Sequence, residues 1–298
     1  MNLIKPKQLQ IGDKIRIIAP SGPVSKTKIE LAKEYFEKKG YKVELGKHIF
    51  DEENYLAGID EYRLDDIHEA FLDNETSAII CARGGYGALR LLDKIDYDII
   101  KSNPKIFCGY SDITLLNAMF LKHANLISFS GPMAQSDFGN NIEHYTEVSF
   151  FDVLTKQNIE IKPSYPKFYK DGNTEGVLFG GNLATMVTLC GRDFIPYSDF
   201  IFFAEDLNEP VYKIDRYFTQ LLAIPEFKNK LKAIILGDFL DIDNQKYFND
   251  FFANLSQELD IPIISGYPIS HSKVKVTVPY GAKCKLENSI LKITDYLA

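Results

Sequence analysis

The sequence predicts an α/β fold organised on a parallel sheet, and three observations carry that reading. Short apolar runs alternate with segments of helical spacing through the first half of the chain. The run at residues 77–82 (SAIICA) is apolar at nearly every position, as a strand buried on both faces requires. Several runs stop at Gly- or Pro-containing clusters, where the chain turns before a helix.

In chain order, residues 14–19 (KIRIIA) read as a first strand ending at Pro20-Ser21-Gly22-Pro23. Ile29, Leu31, Ala32 and Phe36 then recur at helical spacing up to Gly40, a C-terminal cap. Residues 41–45 are a second strand and 63–72 a helix. The run 77–82 follows and stops at Arg83-Gly84-Gly85-Tyr86-Gly87. A helix is expected after it. Ile106-Phe107-Cys108 is then a short strand, 113–123 a helix and 126–129 another strand. The polar stretch 156–173 reads as a linker. Beyond it come strand 177–180, a helix from Asn182, strand 200–204, helix 211–222 and strand 233–236. The alternating run 274–278, with 283–286 and 290–293, reads as short antiparallel strands closing a second domain. The expected division is an N-terminal doubly wound, flavodoxin-like parallel domain (1–155), a linker (156–173) and a smaller C-terminal α/β domain (174–298).

Composition narrows the function. Of 298 residues, 45% are hydrophobic and 25% charged, ordinary for a globular chain. A net charge of −7 offers no electrostatic footprint for nucleic acid. The four cysteines lack C-x-x-C spacing, so no metal or redox motif is expected, and a reduced, cytoplasmic setting fits. No apolar stretch is long enough to span a bilayer, and Met1 to Pro6 lack the apolar region of a signal peptide.

In open parallel sheets, ligands bind at the carboxyl ends of the strands. Gly109-Tyr110-Ser111-Asp112 lies at such an end, between strand 106–108 and a helix. A serine at that turn is placed as in a nucleophile elbow, although Ile113 stands where G-x-S-x-G has its second glycine. The alternative is a plain helix cap. The loop Arg83 to Gly87 would face Ser111 if the two strands are neighbours. Backbone N–H groups of Gly84 or Gly85 and of Asp112 would then form an oxyanion hole. That loop reads equally as a tight turn, and it lacks the lysine of a P-loop. Among five histidines, His48, His68, His123 and His144 read as solvated, whereas His271 follows a strand end and turn. Glu205-Asp206 closes strand 200–204. Either acid serves as well for a helix cap or an ion pair. A serine, an acid and a histidine at strand ends, in that chain order, match the hydrolases built on parallel sheets.

The sequence resembles the LD-carboxypeptidase family of serine peptidases, which also contains microcin-C-type immunity hydrolases. The resemblance runs through Ile17-Ile18-Ala19-Pro20-Ser21, Ala82-Arg83-Gly84-Gly85-Tyr86-Gly87, Gly109-Tyr110-Ser111-Asp112-Ile113-Thr114, Gly131-Pro132-Met133, Gly180-Gly181-Asn182-Leu183, Glu205-Asp206, Tyr212-Lys213-Ile214-Asp215-Arg216 and Pro279-Tyr280-Gly281. It implies Ser111 as nucleophile, Glu205 as triad carboxylate and His271 as base. It further implies no metal or cofactor, a small peptide or muropeptide substrate, and a homodimer. Ser270 stands where the family histidine usually follows glycine, so a different local backbone is expected there. Arg83 is the candidate clamp for the substrate's terminal carboxylate; a salt bridge within its loop is the alternative. The expected activity is release of the terminal D-amino acid, typically D-Ala, from muropeptide tetrapeptides. The rival within the family is hydrolysis of a peptidyl-nucleotide antibiotic, whose enzymes stack aromatics, Trp included, on the base; this chain has no Trp. A non-enzymatic binding protein, with Ser111 as a cap, is the rival from another class.

Overall fold

Residues 15–18, 78–81 and 106–108 are buried at every position, so both faces of the sheet they form must be covered. The computed structural model describes residues 3–298; Met1 and Asn2, which begin both the 1–155 unit and the N-terminal stretch read for a leader, lie outside the described residues. Strands β1 (Lys14–Ile18), β2 (Lys42–Leu45), β3 (Thr76–Cys81), β4 (Ile106–Cys108) and β5 (Ser128–Ser130) are parallel and run in the order 2-1-3-4-5. That is the flavodoxin-like order. Helices α1 (Lys26–Lys38), α2 (Asp60–Leu72), α3 (Tyr97–Ser102), α4 (Thr114–Met119) and α5 (His144–Thr155) belong to the same half. Helix α1 buries Ile29, Ala32 and Phe36, and Gly40 ends it at φ +92°. The segment after the glycine loop, read as a helix, is a single 3-10 turn at Ala88–Arg90.

The second sheet has eight strands. They are β6 (Asn158–Ile161), β7 (Lys167–Lys170), β8 (Thr174–Asn182), β9 (Phe200–Leu207), β10 (Leu231–Leu240), β11 (Ile263–Ser265) and, past the β12 strand (Val278–Tyr280), β13 (Lys283–Glu287) and β14 (Ile290–Thr294). Neighbours from β8 to β11 are parallel, and the flanking strands are antiparallel. Helices α6 (Leu183–Met186), α7 (Val211–Leu222), α8 (Pro225–Lys230) and α9 (Gln245–Leu259) complete the half.

Two expectations need correction. The stretch 156–173 is not a bare linker: it supplies β6 and β7, the two outer strands of the second sheet. Edge strands carry lysines and tolerate polar faces, which is why they read as connector. The run 274–278 does not close the second domain. Only β12 forms, and it pairs antiparallel with β5 in the first sheet. Alternation marks a half-buried strand but not the sheet it joins. Among the described residues no helix is long and apolar enough to cross a membrane.

The halves meet beside Ser111. An added Cβ on Gly181, at the end of β8, would lie 2.6 Å from Thr114 Oγ1, so only glycine lets β8 approach helix α4. Asn182 N–H donates to Thr114 Oγ1 (3.2 Å). This contact brings the carboxyl ends of β3 and β4 toward those of β9 and β11.

Candidate active site

Ser111 follows β4 and opens a 3-10 turn, Ser111–Ile113, that runs into α4. Its φ is +64°, left-handed for a residue with a Cβ. Such backbone costs roughly 1–2 kcal/mol and persists where surrounding contacts fix it. Asp112 provides the fixing. It is buried, and its Oδ2 accepts from Ser21 Oγ (2.7 Å) and from Ala88 N (2.8 Å). One carboxylate thus joins the loops after β1, β3 and β4. Burial pushes its pKa up, and the two hydrogen bonds oppose that shift. Buried Arg63 supports the first loop by donating from Nη1 to Pro20 O (2.7 Å).

The glycine loop packs directly on the serine. A methyl carbon built on Gly84 would lie 2.7 Å from Ser111 Cβ, 2.9 Å from its Oγ and 3.3 Å from Asp112 N. Gly84 O accepts from Gly22 N (3.2 Å), and Gly85 has φ +112°. Of the candidate oxyanion groups, Gly84 lies against Ser111 and Asp112 N, and Gly85 lines the same cavity.

From the second sheet, Glu205 is buried in β9, and its Oε2 accepts from His271 Nδ1 at 2.5 Å. A carboxylate only accepts, so Nδ1 carries the proton and Nε2 of the neutral ring keeps a lone pair. Asp206 has another task. It accepts from Asn182 Nδ2 (2.9 Å), Ala184 N (2.8 Å) and Leu207 N (2.9 Å), tying β9 to the start of α6 rather than to the helix after it. Burial raises its pKa to about 6. Ser270 is buried and is not among the positive-φ residues; its Oγ accepts from Ser272 N (2.8 Å) and closes the turn. A hydroxyl thus closes the turn around His271, in ordinary backbone.

Tyr110 supports the imidazole from the other side. Its ring meets that of His271 edge to face, with centroids 5.0 Å apart. Lys275 Nζ lies 4.6 Å from the Tyr110 ring centroid and donates to Tyr110 Oη (3.4 Å) and to buried Asp137.

Ser111, His271, Gly84, Gly85 and Arg83 line one cavity of about 290 Å³. Ser111 Oγ and His271 are brought to that cavity without a direct hydrogen bond among the described contacts. Arg83 Nη1 donates to Pro23 O (3.2 Å), and no carboxylate pairs with Arg83 among the described residues, so the alternative of a salt bridge within its loop is not formed. The other histidines are engaged elsewhere. His48 bonds Asp51, His68 accepts from Asp96 N, His123 contacts Asp193 O and His144 lies near Glu147. Only His123 and His144 are exposed; His48 and His68 are half-buried, against the expectation of solvated side chains. Among the described residues no group of three His, Cys, Asp or Glu side chains is arranged to hold a metal ion.

Residues 15–131 match the model of the LD-carboxypeptidase N-terminal domain, and residues 175–286 that of the LD-carboxypeptidase C-terminal domain. The chain belongs to the LD-carboxypeptidase family. It is 34% identical over 296 residues to the "probable murein peptide carboxypeptidase" of Bacillus subtilis, covering 96% of this chain and 92% of that protein. The muramoyltetrapeptide carboxypeptidase of Oxalobacter formigenes superposes with a TM-score of 0.88 at 33% identity, covering 96% of this chain and all (100%) of that one. The microcin C7 self-immunity protein MccF of Escherichia coli is 29% identical over 326 residues, covering 96% and 94% of the two chains. A solved structure of MccF superposes with a TM-score of 0.90 at 27% identity, covering 99% and 100%.

Within this carboxypeptidase-family fold, sequence reading missed several cavity residues. Tyr110 sits inside the serine motif, which assigned it no role. Gln135 and Ser136 follow the Gly131-Pro132-Met133 motif, which was the available signal. Lys28 lies in the first turn of α1 and carried no signal at all.

Proposed function

We propose that this chain is a serine-type LD-carboxypeptidase that releases the terminal D-amino acid, typically D-Ala, from muropeptide tetrapeptides. One observation carries the reading. A serine in left-handed backbone at a strand-to-helix turn shares a cavity with a histidine whose Nδ1 is held by a buried carboxylate. A helix cap needs neither the strain nor the partners.

Ser111 Oγ attacks the carbonyl of the L-centre. His271 Nε2 accepts the hydroxyl proton and returns it to the leaving amine. Glu205 holds the imidazole in the right tautomer and stabilises its charged form. Serine and imidazole must close to about 2.6–3.2 Å for that transfer, an approach that commonly tightens only with substrate bound. Backbone N–H groups of Asp112 and of the Gly84-Gly85 loop stabilise the oxyanion, supported by the packing of Gly84 on Ser111 and Asp112 N. Arg83 takes the terminal carboxylate in a planar fork. Water then cleaves the acyl-enzyme.

The homologues favour a peptide substrate, and a recycling role fits the cytoplasm. The family resemblance supports a homodimer, which sedimentation at low concentration tests. A second reading rests on the overlap with MccF, for which structures with adenosine monophosphate and with aspartyl sulfamoyl adenosine are known. The muropeptide reading is preferred because two murein-peptidase relatives reach 33–34% identity, above the 27–29% of MccF, while a third, of Pseudomonas aeruginosa, stands at 28%. The lack of any Trp points the same way.

The test is mass spectrometry on stem tetrapeptides ending in D-Ala or L-Ala, alongside a peptidyl-adenylate mimic. Selective release of D-Ala is expected. Comparable release of L-Ala, or cleavage of the mimic alone, overturns the assignment.

A further inference from the structure

The catalytic cavity is charged in the opposite sense to the chain. The protein carries a net charge of −7, yet the cavity wall holds two cations, Lys28 and Arg83, and no carboxylate. Neither cation is paired with an acid among the described residues, whereas most Lys and Arg side chains beside the same loops are. Arg63 and Arg90 both bind Asp60, and Lys275 binds Asp137. Cations set around a concave, partly desolvated site without counter-charge are poised for an anionic ligand.

One terminal carboxylate does not account for both. Arg83 stands next to Gly84, which packs on Ser111, and its Nη1 is held by Pro23 O (3.2 Å). Lys28 belongs to a different wall. It is the third residue of α1, and its carbonyl is locked against Gly139, where an added Cβ would fall 2.1 Å from Lys28 O. That contact fixes the Lys28 backbone beside the segment bearing Gln135 and Ser136, which also face the cavity. Its ammonium is a mobile point charge on a long stem, suited to a carboxylate whose orientation is not fixed by the scissile bond.

We propose that Lys28 binds a second substrate carboxylate, upstream of the scissile amide, while Arg83 takes the terminal one. The inference rests on the muropeptide reading and narrows its substrate class to stem peptides with a free carboxylate on the acyl side. Two positions supply that chemistry: the α-carboxylate of a γ-linked D-glutamate at residue two, or the side-chain carboxylate of a diamino diacid at residue three. The lysine-containing and amidated stems lack one or the other.

Four tetrapeptides ending in D-Ala separate the sources: D-glutamate against its amide at residue two, and the diamino diacid against lysine at residue three. The wild-type enzyme is expected to prefer the acid of one pair by roughly 10–100-fold in kcat/KM, the scale of one hydrogen bond to a charged group. In Lys28→Met that ratio falls to near one, mainly through KM. In Lys28→Glu it reverses, and in Lys28→Arg it survives, which separates lost charge from lost folding. The pair that responds names the carboxylate. Unchanged ratios in both pairs for Lys28→Met and Lys28→Glu overturn the proposal and leave the carboxypeptidase reading standing. If the wild-type enzyme releases D-Ala from none of the four, that reading fails and takes this one with it.

Discussion

In Gly84→Ala the added methyl carbon falls 2.7 Å from Ser111 Cβ and 2.9 Å from Ser111 Oγ. Ordinary contacts between such atoms begin near 3.5 Å, so one side must give by most of an ångström. Neither gives easily. Ser111 is held in left-handed backbone, and the Asp112 carboxylate behind it is bound by Ser21 Oγ and Ala88 N. The Gly84 carbonyl is engaged by Gly22 N. Gly84 itself is not at positive φ, so the effect is steric and not a matter of backbone strain. Overpacking of this kind costs about 1–3 kcal/mol, a fall of several degrees in Tm for a chain this size. The loss of rate should be larger, because a displacement of about 1 Å at the nucleophile can cost roughly a hundredfold. Steady-state D-Ala release at saturating tetrapeptide and a thermal melt measure both effects. A variant with kcat within about twofold of wild type would show that the glycine loop does not frame the serine.

Three further outcomes follow from the same contacts. Glu205→Gln should lower kcat by roughly 10³–10⁴, since an amide cannot stabilise the imidazolium, while Asp206→Asn should cost far less; equal kinetics for the two variants would move the triad acid elsewhere. Asp206 has its pKa raised to about 6 from an unfolded value near 3.9. Between those pH values the folded state binds the extra proton, so this group makes stability fall as pH rises through the window. In melts from pH 4 to pH 7, Asp206→Asn should lose less stability, or gain more, than wild type, and an identical change in the two proteins would refute the assignment. Lys275→Met leaves the Asp137 carboxylate buried and unpaired, a loss of about 3–5 kcal/mol. Adding Asp137→Asn should restore much of it; a double variant no more stable than the single would count against the pair.

The inner strands of the first sheet were legible because they are buried on both faces and end at turns whose residues have a reason to be there; β2, at the edge, has no buried position. The serine motif was legible for the same reason: a Gly-Tyr-Ser-Asp turn after an apolar run has few uses. The Asp112 side chain was not, because its partners, Ser21 and Ala88, are 91 and 24 residues away. Edge strands β6 and β7 were hidden by lysines and prolines in the stretch taken for a linker. Helix α9 did show its pattern, with Phe248, Phe252 and Leu255 buried at helical spacing, and was overlooked. The pairing of Glu205 with His271 spans 66 residues and two strand ends. Chain order and the family resemblance pointed to it; periodicity did not. Ser270 marks the limit of such transfer: the resemblance implied a glycine before the histidine, and in this chain a serine hydroxyl closes the turn.

The claim on which the rest depends is that Ser111 carries the bond cleavage. Its most direct test is D-Ala release from a stem tetrapeptide by wild type and by Ser111→Ala, with both proteins checked by thermal melting. The substitution removes one small side chain, so stability should stay within about 1 kcal/mol of wild type. Activity should fall by about 10³-fold or more, as when a serine nucleophile is deleted from a triad. A folded Ser111→Ala protein that keeps most of its turnover would contradict the account and leave Ser111 as a helix cap.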